Sequence, residues 1–174
     1  MRKTRFSLLA LTSLLAACAF SLTLPLPDQT LTVPAVMDTQ GHVLYPKDPL
    51  AFPPPGEVVK AVRVEGTLEA SEPLTLTLEL YARLKDPADD PSCLALSDFT
   101  TTYAYACSIG PDDAKVGEAR FTLSQSAPLQ LSGTKLTQGV QQGKFWLGAL
   151  AQGLPAGGLT LTFKNLKATL TVGP

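Results

Sequence analysis

Five aspartates crowd two short stretches of this chain, and oxygen-rich clusters of that kind are what a hard cation such as Ca²⁺ takes as ligands. Asp86, Asp89 and Asp90 lie in an Asp-Pro-Ala-Asp-Asp-Pro run ahead of Cys93, while Asp112 and Asp113 follow Cys107. Their spacing matches no EF-hand loop, and Asp and Pro also form turns for local backbone reasons, so both uses of these loops stand open. Aromatic side chains offer a second kind of chemistry. Tyr103 and Tyr105 are two residues apart and so share one face of a strand; with Trp146 they form a candidate platform for stacking a sugar or small ligand. The same tyrosines would equally well fill a core beside Phe99. Aromatics make up 7 % of the chain, fewer than a dedicated sugar binder is expected to carry.

Tools for catalysis are scarce. His42 is the only histidine; it stands beside an expected edge strand with no nucleophile motif near it, and a surface position is expected. There is no G-x-S-x-G, H-E-x-x-H or P-loop run to support hydrolase or nucleotide chemistry. Carboxylates meeting across loops, as in glycosidases, are the remaining route to catalysis. The chain is expected not to be an enzyme and to need no cofactor, Ca²⁺ at the acidic loops being the one alternative.

The elements that would position these residues are strands. Leu74, Leu76, Leu78, Leu80, Ala82 and Leu84 alternate with Thr75, Thr77, Glu79, Tyr81 and Arg83, the period of a strand with one buried and one wet face. A helix at 3.6 residues per turn would scatter those leucines around its axis. Val58 to Glu65 alternates with one interruption, and Phe99 to Cys107 and Lys144 to Ala151 read the same way. Leu159, Leu161 and Phe163 share one parity while Leu166, Ala168, Leu170 and Val172 take the other, so a bulge or tight turn is expected at Lys164-Asn165. Residues 136–142 are expected as one helical turn or a loop. Prolines concentrate between residues 25 and 55, and the strands expected at Gln29–Val33 and His42–Tyr45 suit sheet edges, where a missing N–H does no harm. Many short strands without a long helix predict an all-β, antiparallel β-sandwich of Ig-like, Greek-key or jelly-roll type with about eight to ten strands.

The N-terminus carries the most specific pattern. Arg2-Lys3-Thr4-Arg5, an apolar run from Phe6 and then Leu15-Ala16-Ala17-Cys18 follow the order of a secretory signal and resemble a bacterial lipoprotein signal peptide with its lipobox. The resemblance covers about the first 18 residues. It implies that Cys18 receives a diacylglyceryl group, that the chain is cut before it, and that its new amino group is acylated. The domain plan is then a signal peptide over 1–17, a lipidated N-terminus and tether over 18–27, and a single domain over 28–174. Three other uses remain open: ordinary cleavage after Ala19 in the A-x-A triplet 17–19, a retained transmembrane anchor, and a buried hydrophobic helix. Serines, threonines and two prolines dilute the apolar run against the roughly 20 residues that a span needs.

The resemblance also settles the cysteine parity, because an odd thiol in a secreted protein calls for explanation. With Cys18 acylated, Cys93 and Cys107 are left to pair in an oxidising compartment, a bond worth roughly 3 kcal/mol for a loop of this size and one that would draw the acidic loops together. Residues 1–17 hold three of the 14 basic side chains and no acidic one, so the mature chain would have a formal net charge of −4. That balance argues against nucleic acid, which needs clustered Lys and Arg. The expectation is therefore a bacterial cell-envelope protein, extracytoplasmic and held to the membrane by lipid at Cys18. Its role would be structural, assembly or binding, with an envelope protein or polysaccharide as partner; the alternative is a carbohydrate or small-ligand module.

Overall fold

The computed structural model describes residues 20–34, 41–56, 58–155 and 157–173. Cys18 and the signal segment lie outside the described residues. Ten strands follow in chain order: β1 (Phe20–Pro25), β2 (Gln29–Val33), β3 (His42–Pro46), β4 (Leu50–Ala51), β5 (Val59–Arg83), β6 (Cys93–Asp98), β7 (Thr101–Ser108), β8 (Asp113–Ser132), β9 (Lys144–Leu150) and β10 (Leu159–Val172). One α-helix, α1 (Thr134–Gln142), and a 3₁₀ turn at Pro87–Asp89 complete the described elements. Every pairing is antiparallel.

The fold is all-β, as the alternation predicts, but it is one open sheet and not the two separate sheets of the expected sandwich. Its order is β1-β10-β5-β9-β3-β7-β6, with β2 also on β10, β4 on β9 and β8 on β5. The long strands explain how one sheet encloses a core. A straight strand would hold residues 117 and 130 about 45 Å apart, at roughly 3.4 Å per residue. Yet a Cβ built on Gly117 would lie 2.8 Å from the Gln130 carbonyl oxygen and from the Leu131 side chain. Strand β8 therefore doubles back on itself, and its partner β5 bends with it. One apolar cluster fills the space between, taking Leu31, Val64, Leu131 and Leu161 from one half and Leu80, Ala104, Phe145 and Leu147 from the other.

The bends occur where extra residues are inserted. Between Glu69↔Ser126 and Leu74↔Ser124 the register of β5 slips, and Pro73 sits in that break, where no ladder N–H is required. Leu123 is the extra residue of β8 at the same point, at φ 52°. The bulge expected at Lys164-Asn165 is present: Asn165 has φ 54°, and the register shifts between Lys164↔Thr67 and Lys167↔Glu65. Opposite it stands Gly66, where a Cβ would meet Leu166 Cδ2 at 2.7 Å and the Lys164 carbonyl oxygen at 2.8 Å. A further slip at Thr171/Val172 reverses the expected face of β5's start, leaving Val58 65 % exposed and Val59 buried.

Three other expectations are corrected. Residues 20–25, expected as tether, form β1, paired from Phe20↔Val172 to Pro25↔Lys167. Strand β3 is internal, between β9 and β7; its Pro46 is tolerated as the last residue, whereas β2 does lie at an edge, on β10 alone. Helix α1 is more than one turn: Leu136, Gly139 and Val140 face the core, the Phe145 ring packs on Gly139, and Gly143 ends the helix at φ 70°.

Candidate functional site

The face of β5 that was expected to be wet stays exposed at Thr75 and Thr77 but is covered at its Tyr81–Arg83 end, and the most elaborate side-chain arrangement lies there. Pairing of Tyr81↔Gly148, Arg83↔Trp146, Val43↔Leu150 and Tyr45↔Tyr105 brings Val43, Tyr45, Tyr81, Cys107, Trp146 and Leu150 into a second apolar cluster on the sheet's other side. Gly148 makes room for it, since a Cβ there would meet the Tyr45 ring at 2.6 Å. Arg83 stands at its margin, its side chain 1 % exposed.

A buried guanidinium requires anionic or carbonyl partners. Arg83 donates from Nη2 to Asp90, from Nη1 to Asp113 Oδ1 at 2.9 Å and from Nε to the Lys85 carbonyl at 3.0 Å. The Asp113 side chain is itself wholly buried. It accepts the Tyr45 hydroxyl at 2.7 Å and the Gly110 N–H at 2.8 Å. Asp90 accepts from both the N–H and the hydroxyl of Ser92, and the guanidinium lies 5.8 Å from the centre of the Tyr45 ring. Cys93 and Cys107, facing each other across β6 and β7, form a disulfide directly behind these loops. A small cavity of about 210 Å³ opens between Arg83, Lys85, Ser92 and Asp112.

The electrostatics follow from these contacts. Ser92's N–H and hydroxyl, then Arg83, hold the Asp90 carboxyl well below the usual carboxylate range. Burial, then the charge and hydrogen bond of Asp113, push the Tyr45 phenol far above its ordinary value. Burial opposes the charge on Arg83, but Asp113 and Asp90 outweigh it and keep the guanidinium firmly protonated.

This geometry bears on the alternative of Ca²⁺ at the acidic loops. Asp90 and Asp113 do converge, but Arg83 supplies the positive charge between them. Asp86 is occupied in accepting the Ala88 N–H at the start of the 3₁₀ turn that contains Asp89. Among the described residues no three acidic, His or Cys side chains are grouped to hold a metal ion. Arg83 is the residue that sequence reasoning missed. Its signal was a lone arginine on the polar side of a strand flanked at a distance by two acidic runs, and nothing local distinguishes it from a solvated one.

The aromatic platform also comes apart. Trp146 is 1 % exposed, with Lys144 Nζ 4.8 Å from its ring centre and its Nε1 donating to the Lys47 carbonyl at 3.4 Å. Tyr105 packs against the second cluster and Tyr103 against the main core. Phe99 is fully exposed at the β6–β7 turn, at φ 49°. Tyr103 lines an open cleft, of about 520 Å³, together with Asp28, Gln29, Thr30, Lys47 and Thr102. Gln29 is 7 % exposed and donates Nε2 to the Asp48 carbonyl at 3.0 Å. Because only the amide nitrogen can donate to a carbonyl, its Oε1 is the unmatched atom, buried with no hydrogen-bond partner among the described residues.

No protein-family model matches the chain, and no curated protein or solved structure is a significant match to it.

Proposed function

We propose that this chain is a lipid-anchored protein of the bacterial cell envelope whose β domain has a structural, assembly or binding role outside the cytoplasm. The observation that carries the reading is the cysteine arrangement. Cys93 and Cys107 are joined, which suits an oxidising compartment, and the remaining cysteine is Cys18, at the end of the Leu-Ala-Ala-Cys run. The chemistry of the Arg83 site supports a structural use, since its donors go to the loops that it ties down. The test is the mass of the N-terminal peptide from protein purified from a bacterial membrane fraction. A chain beginning at Cys18 with two or three acyl groups is expected; one beginning at Phe20 without lipid would sink the reading.

A second reading, a module for a small polyhydroxylated ligand, is favoured by the open cleft that Tyr103 lines with Asp28, Gln29, Thr30 and Lys47. Lys47 lines that cleft and its carbonyl accepts from Trp146, so Trp146 fluorescence reports on occupancy. A saturable emission change on titrating envelope polysaccharide fragments is expected from this reading, and a flat titration counts against it.

A further inference from the structure

From the position of β1 we infer that one end of the sheet, carrying Phe20, Leu22 and Val58, rests in the interfacial layer of the lipid bilayer, the bilayer itself being the occupant of this apolar edge. The inference rests on the reading of Cys18 as the lipid anchor.

Reach decides the matter. Ala19 alone separates Cys18 from Phe20, and two residue steps at about 3.3 Å cover roughly 7 Å. That distance is comparable to the 5–10 Å to which an interfacial segment buries its apolar side chains. Since Phe20 is already paired with Val172, no slack remains for the domain to stand away from its anchor. The surface brought to the bilayer is suited to it. Phe20 is 53 % exposed, Leu22 42 % and Val58 65 %. They belong to one end of the sheet, because Phe20 pairs with Val172, Val172 pairs with Val59, and the Gly173 N–H donates to the Val58 carbonyl at 3.4 Å.

Phe20, Leu22 and Leu24 share a face of β1. Leu24 reaches the core, and Phe20 and Leu22 overhang it beside buried Val172 and Leu170. No residue of β1 is charged, although charged side chains are a usual protection of an exposed sheet edge. A headgroup layer meets both needs of this edge: polar groups for its unpaired N–H and C=O, and acyl chains for its side chains.

The test uses the full chain carrying its lipid, reconstituted into phosphatidylcholine vesicles with or without bromine on the acyl chains. Trp146 is buried and gives the background emission of the unsubstituted protein. Phe20→Trp is expected to lose at least half of its added emission in brominated vesicles. Leu123→Trp, also exposed but beside the β5 break some ten ladder positions away, is expected to lose none. Val58→Trp repeats the measurement from a different strand, so poor folding of one variant does not decide the result. Equal emission in both kinds of vesicle, in protein whose mass shows acylated Cys18, overturns the inference and leaves the anchor standing. A mass without acyl groups overturns both. Quenching that is absent while emission shifts with protein density would assign the edge to a second copy of this chain, which also overturns the inference.

Discussion

Arg83 is the residue on which the outer face of the sheet depends. Truncating it would leave the Asp113 carboxylate buried without a counter-charge, and removal of one partner from a buried pair costs about 3–5 kcal/mol. Arg83→Ala is thus expected to lower the unfolding free energy by that amount, read from urea denaturation followed by circular dichroism. Tyr45 gives the same site a pH dependence. Its phenol is held neutral in the fold, so its contribution is complete below the ordinary value of 10.0 and declines above it, where the unfolded tyrosine ionises and the folded one does not. The denaturation midpoint is expected to fall between pH 9 and pH 11 as tyrosinate absorbance appears with unfolding. Tyr45→Phe should reduce that alkaline slope, at a cost of about 1–2 kcal/mol at neutral pH for the lost bond to Asp113.

Bulges and their glycines govern the elements. At Gly66 the space for a methyl group is already taken by Leu166 and the Lys164 carbonyl. Gly66→Ala is expected to cost about 1–3 kcal/mol, as overpacking does, and to broaden amide exchange protection along the β5–β10 ladder. Removing the staple between β6 and β7 by Cys93→Ser with Cys107→Ser should cost roughly 3 kcal/mol, measured as a lowered thermal midpoint against the oxidised protein. The bulge opposite Gly66 was legible because parity flips there: an apolar side chain moved by one residue changes face. The continuity of β5 was not, since Pro73 and the break beside it look like the end of a strand when only local residues are considered. Nor was β1, whose Phe-Ser-Leu-Thr-Leu alternation merges with the apolar run before it. The burial of Arg83 depends on loops that return from residues 85–92 and 110–113, and that of Tyr81 on β3, β7 and β9; such long-range cover leaves no trace in the local period. Of the candidate site, the disulfide and the convergence of the acidic loops were readable; the cation that joins them, and the burial of Trp146, follow from tertiary pairing alone.

On the scale of the whole molecule, a single sheet bent through its two longest strands encloses the main core on one surface and carries a second, smaller apolar cluster on part of the other. Two open places among the described residues are the cleft at Gln29 and Tyr103 and the apolar edge at β1. If that edge lies on the bilayer, the cleft and the Arg83 face are presented at heights above the membrane set by the sheet itself. The pairing of β1 with residues 167–172 has a further meaning in time. Among the described strands the first finds its ladder partner only in the tenth, so a chain growing or crossing a membrane from its N-terminus must hold Phe20 and Leu22 unpaired until residues 167–172 have followed. Closure of this edge waits for β10, and the interval before it is when a chaperone would have the most to bind.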